Sequence, residues 1–293
     1  MGRGRCRGKA RGKRIRPILS LIATEAAGKD WKEAIPAAAA VELIHNFSLI
    51  HDDIEDRSDT RHGRKTVWSI WGEPQAINTG DCMFTLAFRA VIQSAARPEN
   101  VISAVDLLQE TNVLLTKGQF LDMAYEQKDD LPLDAYWYMV GGKTAALLSC
   151  SAAIGATLTG ARPERIKALR EFGWNLGLAF QAQDDWLGIW GDSALTGKST
   201  HSDLMSGKKA LPALLGILNG GEFKKRWKNR PFNSQEIPEL AGILAGEGIQ
   251  KKVEEEAAKY TLLANAALSK LDLQKDAYYA LHELADGLLS RKQ

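Results

Sequence analysis

Leu49-Ile50-His51-Asp52-Asp53-Ile54-Glu55-Asp56 crowds four acids onto the end of an apolar run that already holds Leu43, Ile44 and Phe47. A second run, Phe180-Gln181-Ala182-Gln183-Asp184-Asp185-Trp186-Leu187, repeats the pattern more than a hundred residues later. On a helix, residues four apart share a face. Asp52 and Asp56 then project together, with Asp53 alongside, and His45, seven residues before Asp52, falls on nearly the same stripe. Gln181, Asp184 and Asp185 share a face in the same way. An acidic surface helix would be flanked by polar residues, and these are not. Buried carboxylates are costly unless they are paired, neutralised or bound to cations. Two such clusters facing each other would hold magnesium, and magnesium on carboxylates points to a phosphate or diphosphate substrate.

The rest of the composition narrows the field. The chain has 293 residues, 45% of them hydrophobic and 25% charged, with a net charge of +2, as in an ordinary globular protein. Three scattered cysteines, Cys6, Cys82 and Cys150, contain no CxxC pair, which argues against a zinc site or a disulfide framework. A reducing, cytoplasmic setting follows as the default. No apolar run is read as reaching the roughly 20 residues that span a bilayer. The first residues are too basic for a signal peptide. Residues 1–11 alternate Arg and Lys with Gly and read as a disordered basic tail. A nucleic-acid role would need a recognisable module beside that tail, and none is found.

Helical signals dominate elsewhere. Pro98 and Pro163 stand where proline opens a helix, and Ile166, Leu169, Phe172, Leu176 and Phe180 follow at helical spacing. Helices are expected over roughly 15–28, 33–56, 75–95, 99–127, 133–158, 163–191, 208–219, 235–246, 248–271 and 274–290. Loops fall at 57–74, 192–207 and 220–234. No alternating runs joined by Asn-Gly or Asp-Gly turns support strands. The expectation is one all-α domain over 12–293, a helical bundle around a central cavity.

Basic residues gather after the first acid cluster, in Arg57-Ser58-Asp59-Thr60-Arg61-His62-Gly63-Arg64-Lys65, and arginine forks suit phosphate oxygens. Gly142-Lys143-Thr144 mimics the end of a P-loop, but Trp137 occupies the position where the loop needs its first glycine. HExxH and GxSxG are missing. Trp68, Trp71, Trp137 and Tyr138 read as core or interface.

Taken in order, these segments resemble the trans-isoprenyl diphosphate synthases, or polyprenyl synthetases, from about Gly12 to Pro212, with a weaker likeness beyond. Asp52-Asp53-Ile54-Glu55-Asp56 resembles the family's first aspartate-rich motif and Asp184-Asp185-Trp186-Leu187-Gly188 its second. Gly12-Lys13-Arg14-Ile15-Arg16-Pro17 resembles its GKRxRP element. The resemblance implies that Lys13 and Arg16, with His45 beside them, bind the diphosphate of isopentenyl diphosphate, and that Arg61 grips the allylic diphosphate. His62 stands where a second arginine is usual. Lys143, Thr144, Gln119, Asp122, Gln181 and Lys198 match further substrate or metal positions. The implied magnesium carboxylates are Asp52, Asp53, Asp56, Asp122, Asp184 and Asp185. The implied catalytic group is Asp52, Asp56, Asp184, Lys143 and Lys198.

The implied reaction is head-to-tail condensation of isopentenyl diphosphate with an allylic diphosphate, with three magnesium ions, in a homodimer. Phe47 and Ser48, five and four residues before the motif, resemble the pattern of enzymes that stop at geranylgeranyl diphosphate. Two departures stand out: Gly188 replaces the second motif's last aspartate, and the helix that leads into GKRxRP in relatives is replaced by the basic tail. Two alternatives remain open: a class I terpene cyclase, against which the lack of an Asn/Ser/Glu metal motif over Gln183 to Asp192 argues, and a non-catalytic partner subunit.

Overall fold

The computed structural model describes residues 14–126, 128, 130–191, 204–205, 209–269, 273 and 275–289; the basic tail lies outside them. The architecture is all-α, as expected. In chain order the helices are α1 (Ile15–Ala26), α2 (Ile35–Glu55), α3 (Val67–Trp71), α4 (Glu73–Ile92), α5 (Pro98–Tyr125), α6 (Leu133–Val140), α7 (Ala146–Leu158) and α8 (Pro163–Trp190). They continue as α9 (Leu211–Asn219), α10 (Glu222–Trp227), α11 (Ile237–Gly246), α12 (Ile249–Ser269) and α13 (Lys275–Leu289). A proline sits in the first turn of α2, α4, α5, α8, α9 and α11, where its missing N–H has no intrahelical partner to lose.

Helix α7 is the axis. All of its residues are buried, and α1, α2, α5 and α8 pack around it. One π-helical turn, Gly141–Ala145, joins it to α6. The continuous helix Leu133–Leu158 is long and apolar enough to cross a membrane by length and composition, contrary to the expectation of no such run. However, 89% of its apolar window is buried in the bundle, so it is a core helix. Helix α8 ties two apolar cores together. Its Leu169, Phe172 and Leu176 join the core of α1, α2, α5, α7 and α13, while Leu178, Ala182 and Ile189 join the core of α6 and α9–α12.

Short elements occupy two of the stretches expected to be loops. Residues 57–74 contain α3 and a hairpin of β1 (Thr60–Arg61) and β2 (Arg64–Lys65), and residues 220–234 contain α10. His62 and Gly63 turn the hairpin with φ of 50° and 72°, the two successive positive values of a primed turn. His-Gly is a weaker hairpin signal than Asn-Gly or Asp-Gly, so the sequence does not mark this turn.

Helix α5 and the π turn meet backbone to backbone. A Cβ on Gly118 would lie 2.1 Å from the Lys143 nitrogen, and one on Gly142 would lie 2.6 Å from the Leu114 carbonyl oxygen. Replacing a mid-helix glycine with alanine normally stabilises by about 1 kcal/mol. Here the clash is with main chain that cannot rotate away, and overpacking costs about 1–3 kcal/mol. Gly118→Ala is therefore expected to lower the urea unfolding midpoint and to reduce turnover by displacing Lys143. A raised midpoint with normal turnover would contradict this packing.

Candidate active site

The first wall is the C-terminal end of α2. Asp52, Glu55 and Asp56 sit where the helix dipole is negative, which disfavours carboxylates. Asp52 is the most affected. Burial pushes its carboxyl up to about 6, with Glu55 and Asp56 raising it further, against the pull of Lys143 and Arg61. The loss of water around Asp52, more than its acidic neighbours, makes this carboxylate costly to ionise.

Asp53 faces the other way. It is 5% exposed and accepts a hydrogen bond from Arg61 Nε at 2.7 Å. That ion pair folds the β1–β2 hairpin back over α2. The loop is fixed further by Thr66 Oγ1 and Trp68 Nε1, which donate to the Ser58 carbonyl at 2.9 and 2.8 Å. His45 lies deeper, its imidazole pushed down to about 3 by burial and by the charges of Arg16 and Arg61. It is neutral at physiological pH, and a cationic pocket from α1, α2 and the hairpin forms around it.

The second wall combines α5, the π turn and α8. Lys143 Nζ donates to Asp122 Oδ2 while also drawing on the charge of Asp52. Gln119 Nε2 donates to Glu55 Oε2 at 2.6 Å and links α5 to the end of α2. Thr144 Oγ1 donates to Gln181 Oε1 at 2.8 Å, and Gln181 Nε2 donates to Asp185 Oδ1 at 2.7 Å. The Tyr136 hydroxyl and the Leu211 N–H donate to Asp185 Oδ2 at 2.7 and 2.6 Å. Burial, with Asp185 beside it, holds the Tyr136 phenol well above its usual range, so it remains a donor. Asp184, one residue before, is half-buried.

The donor set is one of hard oxygens plus lysine and arginine, which suits magnesium with phosphate rather than a soft metal. Among the described residues, no three His, Cys, Asp or Glu side chains converge closely enough to hold an ion by themselves.

A family model described as polyprenyl synthetase matches residues 7–243. The chain belongs to the polyprenyl synthetase family. It is thus a transferase of the prenyl diphosphate synthase type. It is 38% identical over 289 residues to the (2E,6E)-farnesyl diphosphate synthase of Mycobacterium tuberculosis, covering 96% of this chain and 80% of the relative. The geranylgeranyl pyrophosphate synthetase of the archaeon Geoglobus acetivorans is a close fold match, with a TM-score of 0.86 at 37% identity, over 95% of this chain and 87% of that one. A polyprenyl synthase from Caulobacter crescentus CB15, complexed with calcium and isoprenyl diphosphate, gives a TM-score of 0.85 at 32% identity, over 97% and 86% of the two chains.

Within this family member, the structure groups His45, Arg16 and Arg61, and separately Lys143, Thr144, Asp122, Gln119, Gln181 and Asp185. Asp56 caps α2 in the open. His62 is exposed at the hairpin turn and does not join the cluster around Arg61 through any hydrogen bond among the described residues. Phe47 packs edge-on against His51 and Phe84, at centroid distances of 5.4 and 5.2 Å, and Phe84 continues to Phe88 at 5.0 Å. Lys13 and Lys198 lie outside the described residues. Tyr136 and the aromatic row on α4 are not marked in the sequence. Tyr136 carries no signal there, because it sits among Trp137, Tyr138 and Met139 and looks like core.

The Arg61–Asp53 pair lends itself to a double-mutant cycle. Removing one partner of a buried, hydrogen-bonded ion pair costs up to about 3–5 kcal/mol, and less here because Arg61 is one-third exposed. Arg61→Gln is expected to destabilise more in the parent than in Asp53→Asn, with a coupling of about 1 kcal/mol in urea unfolding. A coupling of zero would remove the pair from the account.

Proposed function

We propose that this prenyltransferase condenses isopentenyl diphosphate head to tail with an allylic diphosphate and stops at a short-chain product, geranylgeranyl diphosphate. The observation that carries the reading is Asp52: a half-buried carboxylate made harder to ionise chiefly by the loss of water around it, with Lys143, the partner of Asp122, close enough to pull the other way. Such a wall calls for additional positive charge. Relatives named for farnesyl and for geranylgeranyl diphosphate synthesis support the substrate class.

Asp52, Asp56 and Asp184 are the carboxylates assigned to magnesium, with three ions expected in the full complex. Bound magnesium would offset the charge that develops on the departing diphosphate. Asp53 and Asp122 serve indirectly, by holding Arg61 and Lys143 in place. Arg16 and Lys13, with neutral His45, would take the diphosphate of isopentenyl diphosphate, leaving Arg61 and Lys143 for the allylic diphosphate. His62 at the turn and Lys198 complete the expected set.

The chemistry asks little more of the protein. The allylic carbon–oxygen bond breaks, the double bond of isopentenyl diphosphate attacks the resulting cation, and the departing diphosphate accepts the proton lost. Lys143 and Arg61 stabilise the leaving group electrostatically, where low polarity makes such charges effective. The apolar bundle excludes water that would trap the cation. Phe47, with Phe84 and Phe88 behind it, supplies the apolar wall along which the prenyl chain would lie.

A homodimer is part of this reading. Large apolar side chains stay exposed along α4 and α5, among them Ile77, Leu86, Ile102, Val113 and Phe120, a face that a second copy would cover. The free thiols of Cys82 and Cys150 suit a reducing cytoplasm.

Purified protein given isopentenyl diphosphate with dimethylallyl, geranyl or farnesyl diphosphate is expected to elongate each of them to a twenty-carbon limit, with magnesium only. Asp52→Ala and Asp184→Ala are expected to lose turnover by at least about a hundredfold while keeping helicity. No elongation by the parent, or near-normal turnover in either variant, would contradict the assignment. Phe47→Ala is expected to lengthen the product on reversed-phase chromatography, and an unchanged length would remove Phe47 from the chain-binding wall.

A further inference from the structure

Asp185 is too well served by donors to look like a metal ligand. It is 5% exposed. Oδ1 faces the Gln181 amide, and Oδ2 faces both the Tyr136 hydroxyl and the Leu211 backbone N–H. These donors come from α6, α8 and the first residue of α9. Lys209, two residues before Leu211, donates from Nζ to the Tyr125 and Glu126 carbonyls at 2.9 and 2.8 Å at the end of α5. The start of α9 is thereby pinned to α5 on one side and to Asp185 on the other.

The chemistry of these groups sets a direction. An ionised carboxylate only accepts hydrogen bonds. Gln181 must therefore turn its NH2 toward Asp185, which leaves its carbonyl oxygen toward Thr144. Thr144 gives that oxygen its only hydroxyl proton, at 2.8 Å. Its remaining lone pairs are then what it offers to its surroundings, beside Lys143. A neutral amide at position 185 would not dictate this order.

We propose, resting on the prenyl-transfer reading, that Tyr136 and Asp185 are positioning residues: they lock the amide of Gln181 and thereby the hydroxyl of Thr144, so that Thr144 presents oxygen lone pairs rather than a proton to a positively charged reaction centre. Asp185 does this without ligating magnesium, the work its neighbour Asp184 does.

The relay can be reversed by design. In Asp185→Asn, the Leu211 N–H still requires an acceptor, so the asparagine carbonyl takes the Oδ2 place and its NH2 faces Gln181. Gln181 must then flip and point its own NH2 at Thr144, whose proton turns outward. Turnover is expected to fall about tenfold, the usual range for loss of an orienting partner, with KM for both diphosphates within about twofold. Tyr136→Phe keeps the Leu211 N–H in place and is expected to lose about threefold in kcat. Adding Gln181→Glu to Asp185→Asn restores an acceptor for both the introduced asparagine NH2 and Thr144, with no net change in charge, and is expected to recover most of the loss. A role limited to holding the fold together would not produce that recovery.

Calorimetric titration with magnesium and inorganic diphosphate, independent of turnover, separates the two aspartates. Asp185→Asn is expected to bind within about threefold of the parent, and Asp184→Asn at least tenfold more weakly. Binding by Asp185→Asn that falls as far as in Asp184→Asn overturns the proposal, as does full turnover in Asp185→Asn or no recovery in the double variant. If the parent binds magnesium diphosphate but elongates nothing, the prenyl-transfer reading fails alone. The relay is then decided by the titration and by the Gln181 side-chain amide resonances in 15N spectra, which Asp185→Asn must shift. A parent that binds no magnesium diphosphate overturns both.

Discussion

Negative charge gathered at the end of an apolar helix, with Asp52 half-buried there, is the constraint from which the rest of this structure follows. Asp52 stands at the negative end of α2 with Glu55 and Asp56 beside it, and burial makes its ionisation harder still. A sequence selected for stability alone would not place acids there. The surrounding structure supplies partial relief from several directions: the Lys143 ammonium from the π turn, Arg61 from the hairpin on the reverse side, and Gln119 from α5. The half-buried Asp52 carboxylate is what a cation-borne diphosphate would meet.

Geometry at this scale depends on helices approaching unusually closely. Gly118 and Gly142 let α5 touch the π turn main chain to main chain, and Gly177 and Gly173 let α8 approach Ala145 and Ser149. The single π turn inserts a residue between α6 and α7 at the point where Lys143 and Thr144 must leave the helix wall, a common place for such turns at functional sites. Packing energy and site geometry are thus set by the same small residues. Space for larger side chains here would loosen the contact between Lys143 and Asp122.

Most of the helical frame is legible in the sequence because proline marks the first turns and the apolar residues of α8 recur at helical spacing. The acid clusters are legible too, since charges inside apolar helices have few explanations. Short elements are not. The hairpin at His62 and Gly63 has only two paired residues per strand, α10 is too short to show periodicity, and the π turn leaves no mark in Gly141–Ala145. The apolar length of Leu133–Leu158 emerges only when α6, the π turn and α7 are read as one helix, and only packing shows it to be a core helix. Side-chain partners depend on tertiary contact: Asp53 belongs to Arg61, and Asp185 to Tyr136, Gln181 and Leu211. No local pattern tells which member of an Asp-Asp pair is tied to the scaffold by hydrogen bonds, as Asp53 and Asp185 are.

The most direct test of the account is a crystal structure with magnesium and a non-hydrolysable allylic diphosphate analogue. The account predicts ions between the α2 and α8 walls, coordinated by Asp52, Asp56 and Asp184 and by diphosphate oxygens, with Lys143 and Arg61 on the same diphosphate. Ions bound elsewhere, or a diphosphate seated away from both walls, would contradict it.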